Sequence, residues 1–194
     1  MLFRSTSLAI ALLALTGVAN AQAPAPAASA ADPANTLVME LKSGKVTIQL
    51  RPDLAPKHVE RVRMLAKEGF YNGLKFHRVI NEFMAQSGDP QGTGAGGSKY
   101  GSLPAEFSAT EKFRKGTIGA ARTSDPNSAN SQFFICFTDF SCEGLNGKYT
   151  IWGKVTAGMQ YVDAIAKGEP PSSPDTIVNM YLAADAAAAP AQKK

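Results

Sequence analysis

Nothing in this sequence offers an activated nucleophile, a pair of opposed carboxylates or a cluster of metal ligands. The 194 residues hold two histidines and two cysteines. His58, His77, Cys136 and Cys142 are dispersed and lack the spacing of a zinc site. Serine is plentiful, but none sits in a nucleophile-elbow pattern, so a hydrolase has little support. Charge of one sign is also scarce. The formal net charge is only +4, with cations at Arg4 and at Lys193-Lys194 contributing to it. No basic stripe marks a nucleic-acid surface. The long apolar run at 8–18 is too short to span a bilayer comfortably.

That run follows a short basic start, Met1-Leu2-Phe3-Arg4, and precedes the small residues Ala19-Asn20-Ala21. Together they read as a secretory signal peptide over residues 1–21, with cleavage after Ala23 or an uncleaved anchor as alternatives. Residues 22–35 are rich in alanine and proline and read as a disordered or semi-extended linker. Residues 183–194 read as a second low-complexity segment, a disordered C-terminal tail. Between them, residues 36–182 have the size of one ordinary domain. Cleavage would leave the chain periplasmic or secreted, with no hold on the membrane. Export makes a disulfide chemically available. Cys136 and Cys142 are close enough in sequence to permit one without requiring it. The other reading is a buried small hydrophobe at Cys136 and a loop thiol at Cys142.

Residues 37–42 and 45–50 alternate in character around Ser43-Gly44, the pattern of a β-hairpin with one buried face. Residues 53–69 change to helical period. Val59, Val62, Leu65 and Ala66 face inward there, and His58 is expected on the solvated side. Short β-like runs follow at 74–79, 82–87, 116–121, 132–137 and 149–155, divided by glycines and prolines. Residues 159–167 return to helical period, and 175–182 supply a last strand. Many short strands with two helices predict a mainly β fold, an antiparallel barrel or sandwich with helices over its open ends.

Gly92-Thr93-Gly94-Ala95-Gly96-Gly97 matches the G-x-G-x-x-G fingerprint. Asp89-Pro90 precedes it and no helical period follows, so the strand and helix needed for a dinucleotide site are missing. A turn that lets a ligand backbone lie close is the better reading. The most informative stretch is residues 76–89. It sets the permanent cation Arg78 near Phe83, Met84 and the neutral amide Gln86. The ordinary expectation for such an arginine is a surface ion pair, here with Glu82 or Asp89. Ser131-Gln132-Phe133-Phe134-Ile135 is a second aromatic run, and strand alternation predicts that one of its two phenylalanines points in and the other out. One strong donor beside apolar walls suits a reaction that needs binding and exclusion of water. Rotation about a prolyl amide is such a reaction.

The segments FHRVINEFMAQSGD, GTGAGG, SQFFICF and LNGKYTIWGKV, in this order and spacing, resemble the cyclophilin-type peptidyl-prolyl cis–trans isomerases, and most of all their exported bacterial branch. The resemblance covers residues 36–182. It implies an eight-stranded antiparallel closed barrel capped by two α-helices. It implies that Arg78 is catalytic and that Gln86 holds the substrate backbone and orients Arg78. Phe83, Met84, Phe134 and Leu145 would form the proline pocket. Gly94 and Ala121-Arg122-Thr123 would line the neighbouring groove, with Tyr149 among the substrate-binding residues and His77 in a structural role. Arg122 stands where the family often has asparagine, and Tyr149 where its eukaryotic branch often has histidine. Gly144 stands where many members carry a tryptophan that aids cyclosporin binding, so cyclosporin binding is expected to be weak. The implied partners are proline-containing unfolded or extended polypeptides, met by a monomer that needs no metal or organic cofactor. The alternative is a proline-peptide binding or chaperone module with little turnover.

Overall fold

The computed structural model describes residues 32–186. The expected leader at 1–21, residues 22–31 of the spacer and residues 187–194 of the tail lie outside the described residues. Strands β1 (Thr36–Leu41) and β2 (Gly44–Leu50) form the expected hairpin. Their alternation drives Leu37, Met39, Leu41, Val46, Ile48 and Leu50 into the core. Helix α1 (Pro56–Lys67) opens on a proline and buries Val59, Val62, Leu65 and Ala66 as their spacing predicts.

Ala55, at the start of α1, has no side chain to cap it. Glu106 does so from across the fold. Its carboxylate accepts the backbone N–H groups of Lys57 at 3.1 Å and His58 at 3.0 Å. It also meets His58 Nδ1 at 2.6 Å, which makes that nitrogen the donor. His58 is therefore buried rather than solvated, because a distant carboxylate, invisible to helical period, waits for it.

Six further strands follow, namely β3 (Arg78–Ile80), β4 (Met84–Ser87), β5 (Thr117–Ala120), β6 (Phe133–Cys136), β7 (Ile151–Ala157) and β8 (Ile177–Leu182). All eight join one antiparallel sheet in the order β3-β4-β6-β5-β7-β2-β1-β8. The sheet curls until its edges meet. The Phe76 N–H donates to Asp175 O and the Ile177 N–H to Leu74 O, both at 2.9 Å. These contacts form an isolated bridge at Lys75 and Thr176, not a ladder. The expected closed barrel is thus a curled sheet pinned at its seam, because β3 is only three residues long and the chain before it is not paired as a strand.

The helical cap also differs from expectation. Helix α2 (Met159–Asp163) is five residues long and stops well before residue 167. Asp175 accepts the Ala166 N–H at 2.9 Å and draws the chain toward β8. A third short helix, α3 (Ala183–Ala186), follows β8 and lies near a 3-10 turn at Pro33–Asn35. The inner ends of the spacer and tail are therefore ordered turns, as alanine's helix propensity and the Asp32 cap favour.

Two apolar clusters result. Ala85, Phe133 and Ile135 face the main core, while Met84, Phe134 and Cys136 point to the opposite face of the same strands. Both phenylalanines are thus buried, since the outward face of β6 meets a second cluster instead of water. Cys136 and Cys142 are joined by a disulfide within that cluster.

Candidate active site

The registers of β3, β4, β6 and β5 line up. Arg78 pairs with Gln86, Gln86 with Phe134, and Phe134 with Gly119. Directly paired residues of an antiparallel sheet project to the same side. The pairing therefore lays a cation, an amide and an aromatic ring in one row across four strands, on the face turned away from the main core. Gly119 ends the row with no side chain, and Phe134 fills the space a Cβ would need. Phe113 stacks on Phe134 at 5.5 Å between ring centroids.

A cavity of about 240 Å3 opens over this row. Phe83, Met84, Phe134 and Leu145 give it apolar walls, and Arg78 and Gln86 stand at one side. Ala121, Arg122 and Tyr149 complete it. Tyr149 meets Phe134 edge-on at 5.7 Å, and the Arg122 guanidinium lies 4.3 Å over the Tyr149 ring. Arg122 also donates to Thr123 O at 2.7 Å and Lys148 O at 2.8 Å, so it braces the wall that carries Leu145 and Tyr149. Leu145 closes a 3-10 turn, Glu143–Leu145, which begins just after the disulfide partner Cys142.

A second, polar cavity of about 560 Å3 shares Gln86, Ala121 and Arg122 with the first. Gly94 and Thr123 line it, together with Ser98, Ser102, Ser128, Asn130 and Gln132. Every residue expected to bind substrate therefore falls on one of two adjoining cavities. His77 lines neither. It is buried beneath the glycine loop, where a Cβ on Gly94 would lie 3.7 Å from His77 Nε2.

A scan against protein families matches residues 36–182 to "Cyclophilin type peptidyl-prolyl cis-trans isomerase/CLD". The chain belongs to this family. A Brucella suis protein described as a probable peptidyl-prolyl cis-trans isomerase is 49% identical over 191 residues, covering 90% of this chain and 96% of its own. A Helicobacter pylori peptidyl-prolyl cis-trans isomerase is 38% identical over 133 residues, 68% of this chain and 80% of its own. A crystal structure of a Hirschia baltica cyclophilin matches with a TM-score of 0.70 and 28% identity, over 79% of this chain and 76% of that one. A Cryptosporidium parvum cyclophilin-type isomerase, crystallised in the presence of the dipeptide Ala-Pro, matches with a TM-score of 0.69 and 29% identity, over 76% of this chain and 98% of that one.

Three residues outside the expected set of site residues organise the site of this cyclophilin. Gln132 accepts from Gln86 Nε2 at 2.8 Å and donates to Gly94 O at 2.9 Å and Gly96 O at 2.8 Å, tying the Arg78 row to the glycine loop. Asp89 shapes that loop. Its carboxylate accepts the N–H groups of Gln91 at 2.8 Å, Thr93 at 2.9 Å and Gly94 at 2.6 Å. The loop amides that a dinucleotide phosphate would use are thus already turned onto a carboxylate. Burial alone would raise the Asp89 pKa, but these amides and that of Gly96 outweigh it and hold the group below the usual carboxylate range. The dipeptide Asp89-Pro90 carried the one signal that could have found this, since an aspartate before proline commonly starts a side-chain-capped turn.

Glu169 is the third. Its Oε2 accepts from Arg78 Nε at 2.7 Å, in place of the expected Glu82 or Asp89. Asp89 is buried against its own loop, and Glu82 sits in a left-handed turn at φ +57°. Gln86 Oε1 lies 3.5 Å from Arg78 Nη1. Around His77, burial lowers the imidazole pKa, and the Asp89 carboxylate, the Lys75 backbone and the Gln132 amide offset that only in part. Among the described residues, neither His77 nitrogen reaches hydrogen-bond geometry with a protein group.

Proposed function

We propose that this cyclophilin is an exported monomer that speeds rotation about X–Pro bonds in other exported proteins, with Arg78 as its catalytic group. The observation that carries the reading is a guanidinium set beside Gln86 at the side of a small apolar cavity. The segment at 1–21 supports export. The Ala-Pro dipeptide used with the Cryptosporidium parvum relative supports a proline-containing ligand.

Rotation about a prolyl amide crosses about 18–20 kcal/mol because twisting destroys resonance. The twisted nitrogen regains a lone pair and becomes a hydrogen-bond acceptor. A donor fixed there stabilises the twisted form above either planar one, which is differential binding of the transition state. Arginine suits the task because it stays charged and its donor fork is rigid. Phe83, Met84, Phe134 and Leu145 hold the proline ring while the preceding carbonyl swings. Gln86 holds the substrate backbone, and the Gly94 and Ala121-Arg122-Thr123 edges receive the flanking chain. Tyr149 contacts substrate from the wall beside Phe134, and His77 supports the glycine loop from beneath. Proton transfer plays no part. Gly144, where a Cβ would meet nothing within 4 Å among the described residues, leaves the place of the family's tryptophan unfilled, so cyclosporin binding is weak.

Arg78→Ala should lower kcat/KM on a proline tetrapeptide about a hundredfold or more, with the denaturation midpoint unchanged. Equal activity in the two proteins would refute the catalytic role. A mass of the exported protein that still includes residues 1–21 would refute cleavage. The unfilled Gly144 edge favours a second reading, a proline-peptide binding module. Peptide binding without turnover by the wild type would select it.

A further inference from the structure

The contact between Arg78 and Glu169 is built by the backbone. The Val79 N–H donates to Gly168 O, and the Gly168 N–H donates to Val79 O, both at 2.8 Å. This antiparallel bridge sets Glu169 directly across from Arg78, although 91 residues separate them. The two side chains are 43% and 50% exposed. An ion pair this wet adds little to stability. Its effect on the guanidinium is another matter.

Arginine carries five N–H donors in one rigid plane. Glu169 engages Nε at 2.7 Å, and Gln86 meets Nη1 at the limit of a hydrogen bond, 3.5 Å. A plane held at two of its nitrogens cannot rotate freely about the last side-chain torsions. Among the described residues, no protein acceptor engages Nη2, so its donors stay available beside the cavity. On the reading that Arg78 is catalytic, we propose that Glu169 is a positioning residue for the isomerisation. It locks the guanidinium in the orientation that meets the twisted prolyl nitrogen. The negative charge itself opposes catalysis, because it reduces the positive potential at the reacting nitrogen. The useful property is the fixed acceptor, which a glutamine amide oxygen can supply without charge.

The test compares kcat and KM on a proline tetrapeptide for the full chain and its Glu169→Ala and Glu169→Gln variants. Glu169→Ala should lose three- to tenfold in kcat, with KM within twofold of wild type. Glu169→Gln should keep at least half of the wild-type kcat. Both should unfold at the wild-type midpoint in urea, which a merely structural role would shift. Wild-type kcat in Glu169→Ala would overturn the proposal, as would an equal loss in the two variants or a loss carried by KM. A wild-type chain without turnover would overturn the isomerase reading as well. Full activity in Arg78→Ala would overturn the role of Arg78 and this proposal with it.

Discussion

A methyl group on residue 119 would collide with Phe134 Cζ and stand 2.8 Å from Phe113 Cε1. The ring that floors the apolar cavity lies where it does because Gly119 carries no side chain. Gly119→Ala should therefore push Phe134 into the cavity. We expect about 1–3 kcal/mol of lost stability by overpacking and a raised KM with kcat less affected, since Arg78 is untouched. Urea denaturation and steady-state kinetics check both; an unchanged KM would show that the ring has room to yield elsewhere. At this scale the sequence was legible where function is contiguous. Arg78, Phe83, Met84 and Gln86 share one short stretch, and each lines the apolar cavity. Glu169 and Glu106 were not legible, because each meets its partner only through the fold, and each looks like any other surface carboxylate in the chain. His58 was misread for the same reason: period assigns a helix face, not what packs upon it.

Among the elements, the connection between β6 and β7 holds Leu145 and Tyr149 against the cavity by two devices. One is the Cys136–Cys142 bond, which anchors the connection to the end of β6. The other is Arg122, which bonds Lys148 O across the gap. Replacing both cysteines by serine should cost about 2 kcal/mol, the loop entropy released for so short a ring. It should also raise KM by freeing Leu145. Denaturation and peptide titration of the double variant measure the two effects, and an unchanged KM would leave Arg122 as the sufficient brace. The β1–β2 hairpin and α1 could be read in advance because local period sets them. The seam at Lys75 and Thr176 could not, since closure depends on how far the whole sheet curls. Sequence left the disulfide open, because proximity along the chain says nothing of direction in space.

For the molecule as a whole, pH should act in two steps. Burial lowers the pKa of His58, outweighing the nearby Glu106 carboxylate, with Arg61 adding to the effect. Burial lowers that of His77 as well. Unfolding releases both to an ordinary value of about 6.5. Their contribution to stability is thus present above that pH and is lost as pH falls below it, because the unfolded chain takes up protons first. Burial would raise Asp89 and Glu106, but backbone amides on Asp89, and His58 with backbone amides on Glu106, outweigh it and hold both below their usual range. Their contribution is lost in a second step, below about pH 4. Urea midpoints from pH 8 to pH 3 should fall in both windows, and His58→Gln should shrink the first. A flat profile between pH 7 and pH 5 would rule out the histidine contribution.

The row from Arg78 through Gln86 and Phe134 to Gly119 has a consequence for heredity. Because pairing assembles it, one residue inserted into β3, β4, β5 or β6 turns the following side chains to the other face and scatters the row. Changes in length can be inherited harmlessly only between strands, at exposed points such as Ala109-Thr110 that carry neither a cavity wall nor the disulfide ring. Descendants of this gene are free to lengthen there, while the four strands and the stretches that carry Gly94 and Leu145 keep their count.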